Sequence, residues 1–382
     1  MAIFHFSISS IQRSKGKNVV SRAAYISSSK LIYKTIDKES GEEISITYNF
    51  TKNQGIVYSK IFVPEEFKDI TWLYDREQLW NAAEAREKRE DSRTAVQIEF
   101  ALPKEVSQEE NIKLVEEYVN RNLISRGIVC DVNIHYDNPD NPHVHIQHLT
   151  RRLERLENGE VILGKVKARE LFTTKAMYAF RQQCEIEINK VYEEAGLPFR
   201  VSAKSFKELG IDQEPTRHKG PAHYMKANEL EAKNKEIIAD NAQKIYENPE
   251  IVFCRISYTK PVFTKEDIAI ALSDALIVHL VAKGSKITQE QEVIRAFGAG
   301  LIKKQDSSET LAENAINNPA IEHLNKEYGE EFLRLYNQLL VSDKIELMDQ
   351  KDLMGRTLYS LKSRVNLERR YVSAIEELNA KD

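Results

Sequence analysis

The chain has 382 residues, with 55 Lys and Arg against 59 Asp and Glu, a formal charge of -4 that excludes a general polycation and leaves any affinity for phosphate to local patches. Its three cysteines, Cys130, Cys184 and Cys254, are too few and too scattered for a disulfide framework. No apolar run approaches the roughly twenty residues of a membrane span, and the start lacks a signal-peptide pattern. The expected compartment is the cytoplasm, and the length suggests two domains or three.

In chain order, a first strand is expected over about Ala2 to Ser9, with Phe4, Phe6 and Ile8 on one face and His5, Ser7 and Ser9 on the other. Residues 1 to 30 hold Arg13, Lys15, Lys17, Arg22 and Lys30 without one acidic side chain, a local basic patch. A helix is expected near Val19 to Leu31, then an irregular region from about Thr35 to Lys60 that ends in a strand over Gly55 to Val63. Pro64 opens an amphipathic helical stretch to about Lys88. Thr94 to Leu102 alternates again, with Val96, Ile98 and Phe100 apolar and Gln97 and Glu99 polar, before Pro103 stops it. Helix Ser107 to Arg126 follows, and Leu171 to Gly196 also reads as helix.

Between those last two helices lies the densest chemistry of the chain. His135, His143, His145 and His148 are four of nine histidines, packed around the turn-forming run Asp137 to Pro142. Val132 and Ile134 alternate with Asp131, Asn133 and His135, and Val144 and Ile146 with His143, His145 and Gln147, so the unit reads as a hairpin. Residues two apart on a strand share a face, which brings His143 and His145 together and lets His135 join them. His148 has the opposite parity and is excluded. Three imidazoles with no accompanying Cys-x-x-Cys suit zinc, manganese, magnesium or another divalent ion with positions left open for a substrate oxygen. His5, Gln97, Glu99, Asn133 and the three histidines all share the polar parity of their strands. The expected fold is α/β of the α+β type, an antiparallel sheet of about five strands with helices on one face and an open polar face.

From about Asn228 the composition shifts to helix formers. Thr264 with Asp267 and, less clearly, Thr288 with Gln291 resemble capping boxes. Residues 311 to 340 and 356 to 379 also read as helices, so a smaller all-α region is expected over 227 to 382, after a first domain over 1 to 226. Gly298-Ala-Gly300 lacks the lysine and hydroxyl of a phosphate loop and carries no nucleotide-binding weight.

The segment His135-x-Asp137-x5-Pro142-His143-Val144-His145-Ile146 resembles the MobA/MobL relaxases, which belong to the HUH endonucleases. The N-terminal Met-Ala-Ile-Phe-His-Phe-Ser-Ile and Ser21-Arg-Ala-Ala-Tyr25-Ile-Ser carry the same likeness, as do Ala95 to Pro103 and Arg200 to Gly220. The helical remainder is similar to the segment that joins relaxase to helicase in TraA-type conjugative proteins, and the chain stops before any helicase motif. The resemblance implies a single-strand DNA transesterase that nicks and rejoins a plasmid transfer origin, with Tyr25 as nucleophile and Tyr33 as a less well-matched candidate. A phenol ionises only near ~10 and is a poor nucleophile at neutral pH, so a cation beside it is needed.

The resemblance further implies Mn2+ or Mg2+, or another divalent ion, on His135, His143 and His145, supported by Gln97, Glu99, His5 and Asp137. It implies DNA contacts from Arg13, Arg22, Lys30 and Arg151, and as partners single-stranded origin DNA with other relaxosome or type IV coupling proteins. Family members often carry a carboxylate where this chain has Gln97, and Glu99 on the same face is the expected substitute. The alternatives are a weakened homologue that binds DNA or transfer partners without cutting, and a rolling-circle replication initiator, which shares the chemistry.

Overall fold

A computed structural model describes residues 4–36, 41–197, 199–217, 224–287, 291–306, 319–352 and 354–379. The first residues of the expected strand at Ala2, the expected cap at Thr288 and the start of the helix expected from 311 lie outside them. The chain forms two compact units that meet in sequence at Leu197/Pro198. That point precedes the domain boundary expected at 226.

The first unit runs β1 (Phe6–Gln12), α1 (Val19–Ile26), β2 (Lys30–Ile36), β3 (Glu43–Asn49), β4 (Ile56–Phe62), α2 (Arg76–Arg86), β5 (Arg93–Ala101), α3 (Gln108–Asn122), β6 (Cys130–His135), β7 (His143–Leu149), β8 (Arg151–Arg155), β9 (Val161–Lys167) and α4 (Thr174–Glu194). Five strands make one antiparallel sheet in the order β1-β5-β7-β6-β4. Its register sets polar residues in rows across the strands. One row reads Ser7, Glu99, His145, Asn133 and Ser59, and the next reads Ser9, Gln97, Gln147, Asp131 and Ile61. The opposite face carries Ile8, Ile98, Ile146 and Val132.

Helices lie on both faces of this sheet, which corrects the expectation of a single covered face. Tyr118 of α3 packs edge-on against Phe100, 5.0 Å between ring centres, on the apolar side. On the polar side, Gln147 Nε2 donates to the carbonyl of Val19 in α1, and Trp80 Nε1 of α2 donates to Asp131. The polar face accepts a cover because one end of it is apolar: Ile11, Ile61, Ala95 and Leu149 share a core with Val19, Val20, Ala23, Leu79 and Trp80.

Three further features depart from the sequence reading. The first helix ends at Ile26, not Leu31, because Ser28 takes a left-handed backbone (φ 46) and Leu31 already pairs with Tyr48 in the β2–β3 hairpin. That hairpin replaces the first part of the region expected to be irregular. A second hairpin, β8–β9, follows the histidines at once, turning through Asn158-Gly159 with the glycine at φ 83.

The second unit contains α5 (Tyr224–Glu247), α6 (Ile251–Thr259), β10 (Val262–Phe263), α7 (Lys265–Ala282), α8 (Gln291–Asp306), α9 (Pro319–Leu340), β11 (Ile345–Lys351), β12 (Thr357–Leu361) and α10 (Lys362–Asn379). The capping box expected at Thr264 and Asp267 is present, each side chain bonding the other residue's backbone. Gly298 serves packing: a Cβ there would meet Ser273 Oγ at 2.0 Å and the Ala269 carbonyl oxygen at 2.8 Å, so glycine lets α8 approach α7. The unit is not all-α, since β10, β12 and β11 form a three-stranded sheet. Its strands are hard to read because β10 is two residues long, β11 is mostly charged or exposed, and β12 runs straight into α10.

The polar core under α2 centres on Asp131, which is fully buried. Its carboxylate accepts from Arg76 Nε at 2.7 Å, Arg76 Nη2 at 2.9 Å, Trp80 Nε1 at 3.1 Å and Asn133 Nδ2 at 2.9 Å. Four charge-assisted bonds satisfy the ion where water cannot. Asp131→Ala leaves a guanidinium and an indole N–H without their acceptor, and is expected to lower unfolding free energy by about 3–5 kcal/mol in urea titrations.

Candidate functional site

The antiparallel pairing of β6 with β7 sets His135 opposite His143, and pairing with β5 sets His145 opposite Glu99. The three imidazoles meet: one nitrogen from each of His135, His143 and His145 lies within 4.8 Å of the others, and the ring centres are 4.7–5.3 Å apart. His148 lies on the other face, buried and parallel to the ring of Phe172 at 6.2 Å. Parity separates these histidines as expected.

Each imidazole has one nitrogen committed to an oxygen. His135 Nε2 lies 2.7 Å from the carbonyl of Ile26, and His143 Nδ1 lies 2.9 Å from the carbonyl of Asn141. A carbonyl only accepts, so these nitrogens carry the hydrogen and the other nitrogen of each ring keeps its lone pair. His145 Nδ1 lies 3.1 Å from Glu99 Oε2 and 2.9 Å from Gln97 Nε2. The carboxylate takes its hydrogen. Burial holds His145 down at about 4 and His135 below its usual range, so both rings are neutral near pH 7. Three imidazoles that converge, each with one nitrogen already bonded to an oxygen and the other left to coordinate, form a donor set that fits a divalent cation.

Glu99 supplies the carboxylate that Gln97 lacks. Burial would raise its carboxyl, but the hydrogen bond and charge of His145, helped by Arg22, bring it down to about 2. Gln97 is tied in from two sides: Arg22 Nε donates to its Oε1, and its Nε2 donates to Glu99 at 3.2 Å. Both carboxamide ends are therefore used.

Helix α1 brings the candidate nucleophile to this centre. Asn18 caps it by accepting from the Ser21 N–H, and Val19, Val20, Ala23, Ala24 and Ile26 are buried. Arg22 and Tyr25, three apart, are left on the outer side, with the Arg22 guanidinium 4.9 Å over the Tyr25 ring. Tyr25 is 41 % exposed and its ring meets Phe50 edge-on at 5.5 Å. Tyr25, Arg22, Phe50, Gln97, Glu99 and Lys17 line one hollow of about 440 Å3. The next residue, Ile26, holds His135. Tyr33, by contrast, packs half-buried against the core.

The remaining expected residues are placed as follows. His5 precedes β1, its carbonyl accepting from Ala101 N–H at 3.1 Å, and it is not one of the clustered ligands. Asp137 sits in the β6–β7 turn, where its charge acts on His135. Gly55, at φ +94, passes so close to it that a Cβ would lie 2.6 Å from the Asp137 backbone. Arg13 is spent on Glu84 and on the carbonyls of Glu84 and Glu87, and Arg151 on Glu87 and the carbonyls of Gly164 and Lys165. Both brace the fold. Lys30 is exposed at the start of β2. Sequence reasoning did not find Phe50 or the Ile26 and Asn141 carbonyls. Phe50 carried no signal, and a carbonyl's role depends on path, not side chain.

Among known proteins, the model of the MobA/MobL family matches residues 17–229. The chain is 30 % identical over 304 residues to the conjugal transfer protein TraA of Agrobacterium fabrum, covering 70 % of this chain and 27 % of that one. It is 26 % identical over 250 residues to the mobilization protein MobL of Acidithiobacillus ferridurans, covering 58 % and 63 %. It thus spans about a quarter to a third of the TraA relatives it matches. A solved structure described as the molecular basis of vancomycin resistance transfer in Staphylococcus aureus aligns over 53 % of this chain and 100 % of its own, with 29 % identity and a TM-score of 0.43.

Glu99→Ala removes the acceptor that orients His145 and is expected to weaken Mn2+ binding about 10–100-fold in calorimetric titrations.

Proposed function

The chain belongs to the MobA/MobL family, and on that premise we propose that it is a DNA relaxase, which nicks and rejoins one strand at a plasmid transfer origin with Tyr25 as nucleophile. One observation carries this reading: the carbonyl of Ile26, next to Tyr25, bonds His135, so the helix that presents the tyrosine is fastened to the three-histidine centre. The catalytic part is assigned to residues 1–226, and residues 227–382 to a connector like that of the longer transfer proteins.

In the proposed reaction the Tyr25 oxygen forms a bond to the scissile phosphorus as the bond to the 3′ oxygen breaks. The products are a 5′-phosphotyrosine and a free 3′-hydroxyl. The phenolic proton passes to water, because Glu99, held near 2, is a poor base at neutral pH. Water in turn protonates the departing 3′ oxygen. Arg22, lying over the phenol ring, favours the developing phenolate and the phosphate that approaches it. Small Ala23 and Ala24 are buried beneath, so the hollow around Tyr25 stays open to a strand. Phe50, edge-on to the phenol, keeps that ring in place and offers a base an apolar surface.

A divalent cation held by His135, His143 and His145 would supply positive charge to a non-bridging oxygen of the phosphate. The phosphoester is exchanged, not hydrolysed, so its energy is kept and the strand can be rejoined by the reverse attack. The reading of a weakened homologue rests on Gln97 and on the missing helicase, and Glu99 at the same nitrogen of His145 weighs against the first of these.

The test is a covalent-adduct assay with Mn2+ and single-stranded DNA carrying the transfer origin of the element that encodes the chain. Wild type is expected to give an adduct that survives denaturation, and Tyr25→Phe none, with DNA binding retained. Equal adduct from Tyr25→Phe would falsify the assignment of the nucleophile.

A further inference from the structure

On the sheet face opposite the histidine centre, a cavity of about 280 Å3 runs inward from the edge strand β1. Its walls include Ile8, Val96, Leu171, Phe172 and Phe180, and its inner end includes His148. Exposed Ser9, Lys15 and Lys17 mark its mouth. The volume falls just under that of pockets for drug-sized molecules, which suits a single flat ring.

Two unsatisfied polar groups face this space. His148 is 1 % exposed, and its Nδ1 lies 2.9 Å from the carbonyl of Leu149, so Nδ1 carries the hydrogen and Nε2 is a bare acceptor. Nε2 has no partner among the described residues. A buried acceptor without a donor is costly unless something supplies one. Arg93 lies with its guanidinium 4.9 Å over the Phe172 ring, and its Nε is likewise unpaired. The cavity therefore asks for a planar, mostly apolar group with an N–H at its tip and an oxygen or phosphate near its mouth.

The position of the mouth points to the source of that group. Ser9 and Lys17 line both this cavity and the hollow that holds Tyr25, so the two spaces meet at the edge of β1. A strand lying in the Tyr25 hollow reaches the cavity by crossing that edge, past two lysines that suit its phosphates. We propose that the cavity receives one unpaired nucleobase of the bound DNA strand, held against Phe172 and its aliphatic walls and giving an N–H to His148 Nε2. This inference rests on the DNA reading above, and it adds a site for recognising one position of the strand on the sheet face away from the chemistry.

The experiment is photocross-linking of the full chain, without metal, to single-stranded origin DNA in which one 5-iododeoxyuridine is moved along the sequence. One position, or two neighbours, is expected to cross-link to the peptide that contains Phe172. Ser10→Trp, which fills the cavity from β1, should lose that cross-link and bind the strand about tenfold more weakly, as expected for the loss of one stacked base. At the same position, purine in place of adenine, which lacks the exocyclic amine, should weaken binding to wild type and not to His148→Phe. If no position cross-links to Phe172 while the metal-dependent Tyr25 adduct still forms, the base pocket is overturned and the nicking reading stands. A Phe172 cross-link without any Tyr25 adduct has the opposite meaning: the base site stands and the nicking reading falls.

Discussion

The central position of β7 between β5 and β6 is the constraint on which the rest of this molecule depends. Antiparallel pairing fixes which residues lie opposite one another, and a shift by one position would turn every side chain to the other face. In the observed register His143 faces His135 on one side and His145 faces Glu99 on the other. The cluster and the carboxylate that orients it are thus consequences of one alignment. The same alignment puts His148, the fourth histidine of the segment, under the sheet in a cavity with mostly apolar walls.

A sheet face this polar is costly to cover, and the covering helices solve the problem locally. Asp131, Asn133, Gln97 and Gln147 are all buried; hydrogen bonds from Arg76, Trp80, Arg22 and each other offset the desolvation of the first three, while Gln147 donates to the Val19 carbonyl and leaves its own Oε1 unpaired among the described residues. Cover is complete toward Ala95 and Leu149, where α1 and α2 build an apolar core, and opens toward Glu99 and the histidines. Helix α1 therefore has two tasks. Its buried side seals the core, and its outer side carries Arg22 and Tyr25 to the edge of the opening.

Much of the site was legible because strands have a period of two. Parity selected His135, His143 and His145 and rejected His148 without any knowledge of the partners. It also placed Gln97 and Glu99 on the correct face, but could not say which of them bonds His145, since that depends on rotamers and on Arg22 holding the carboxamide. Arg13 and Arg151 show the opposite failure: a basic residue in sequence looks available for phosphate, yet both are committed to Glu84, Glu87 and nearby carbonyls. The β2–β3 and β8–β9 hairpins, and the small sheet of the second unit, were missed where strands were short, charged or run directly into helix-forming sequence.

By itself the sequence determined the strand alternation, the turn that brings two histidine strands together, the capping box at Thr264 and the motifs that relate the first part of the chain to its family. These are local properties, written in spacing and in the conformational limits of proline, glycine and the capping side chains. Only the tertiary structure decided that helices cover both faces of the sheet, that the Ile26 carbonyl fastens His135, and that the Glu99 carboxylate meets His145 Nδ1. The physical reason is the same in each case: these depend on contacts between residues tens of positions apart, whose geometry is set by packing after the local elements have formed.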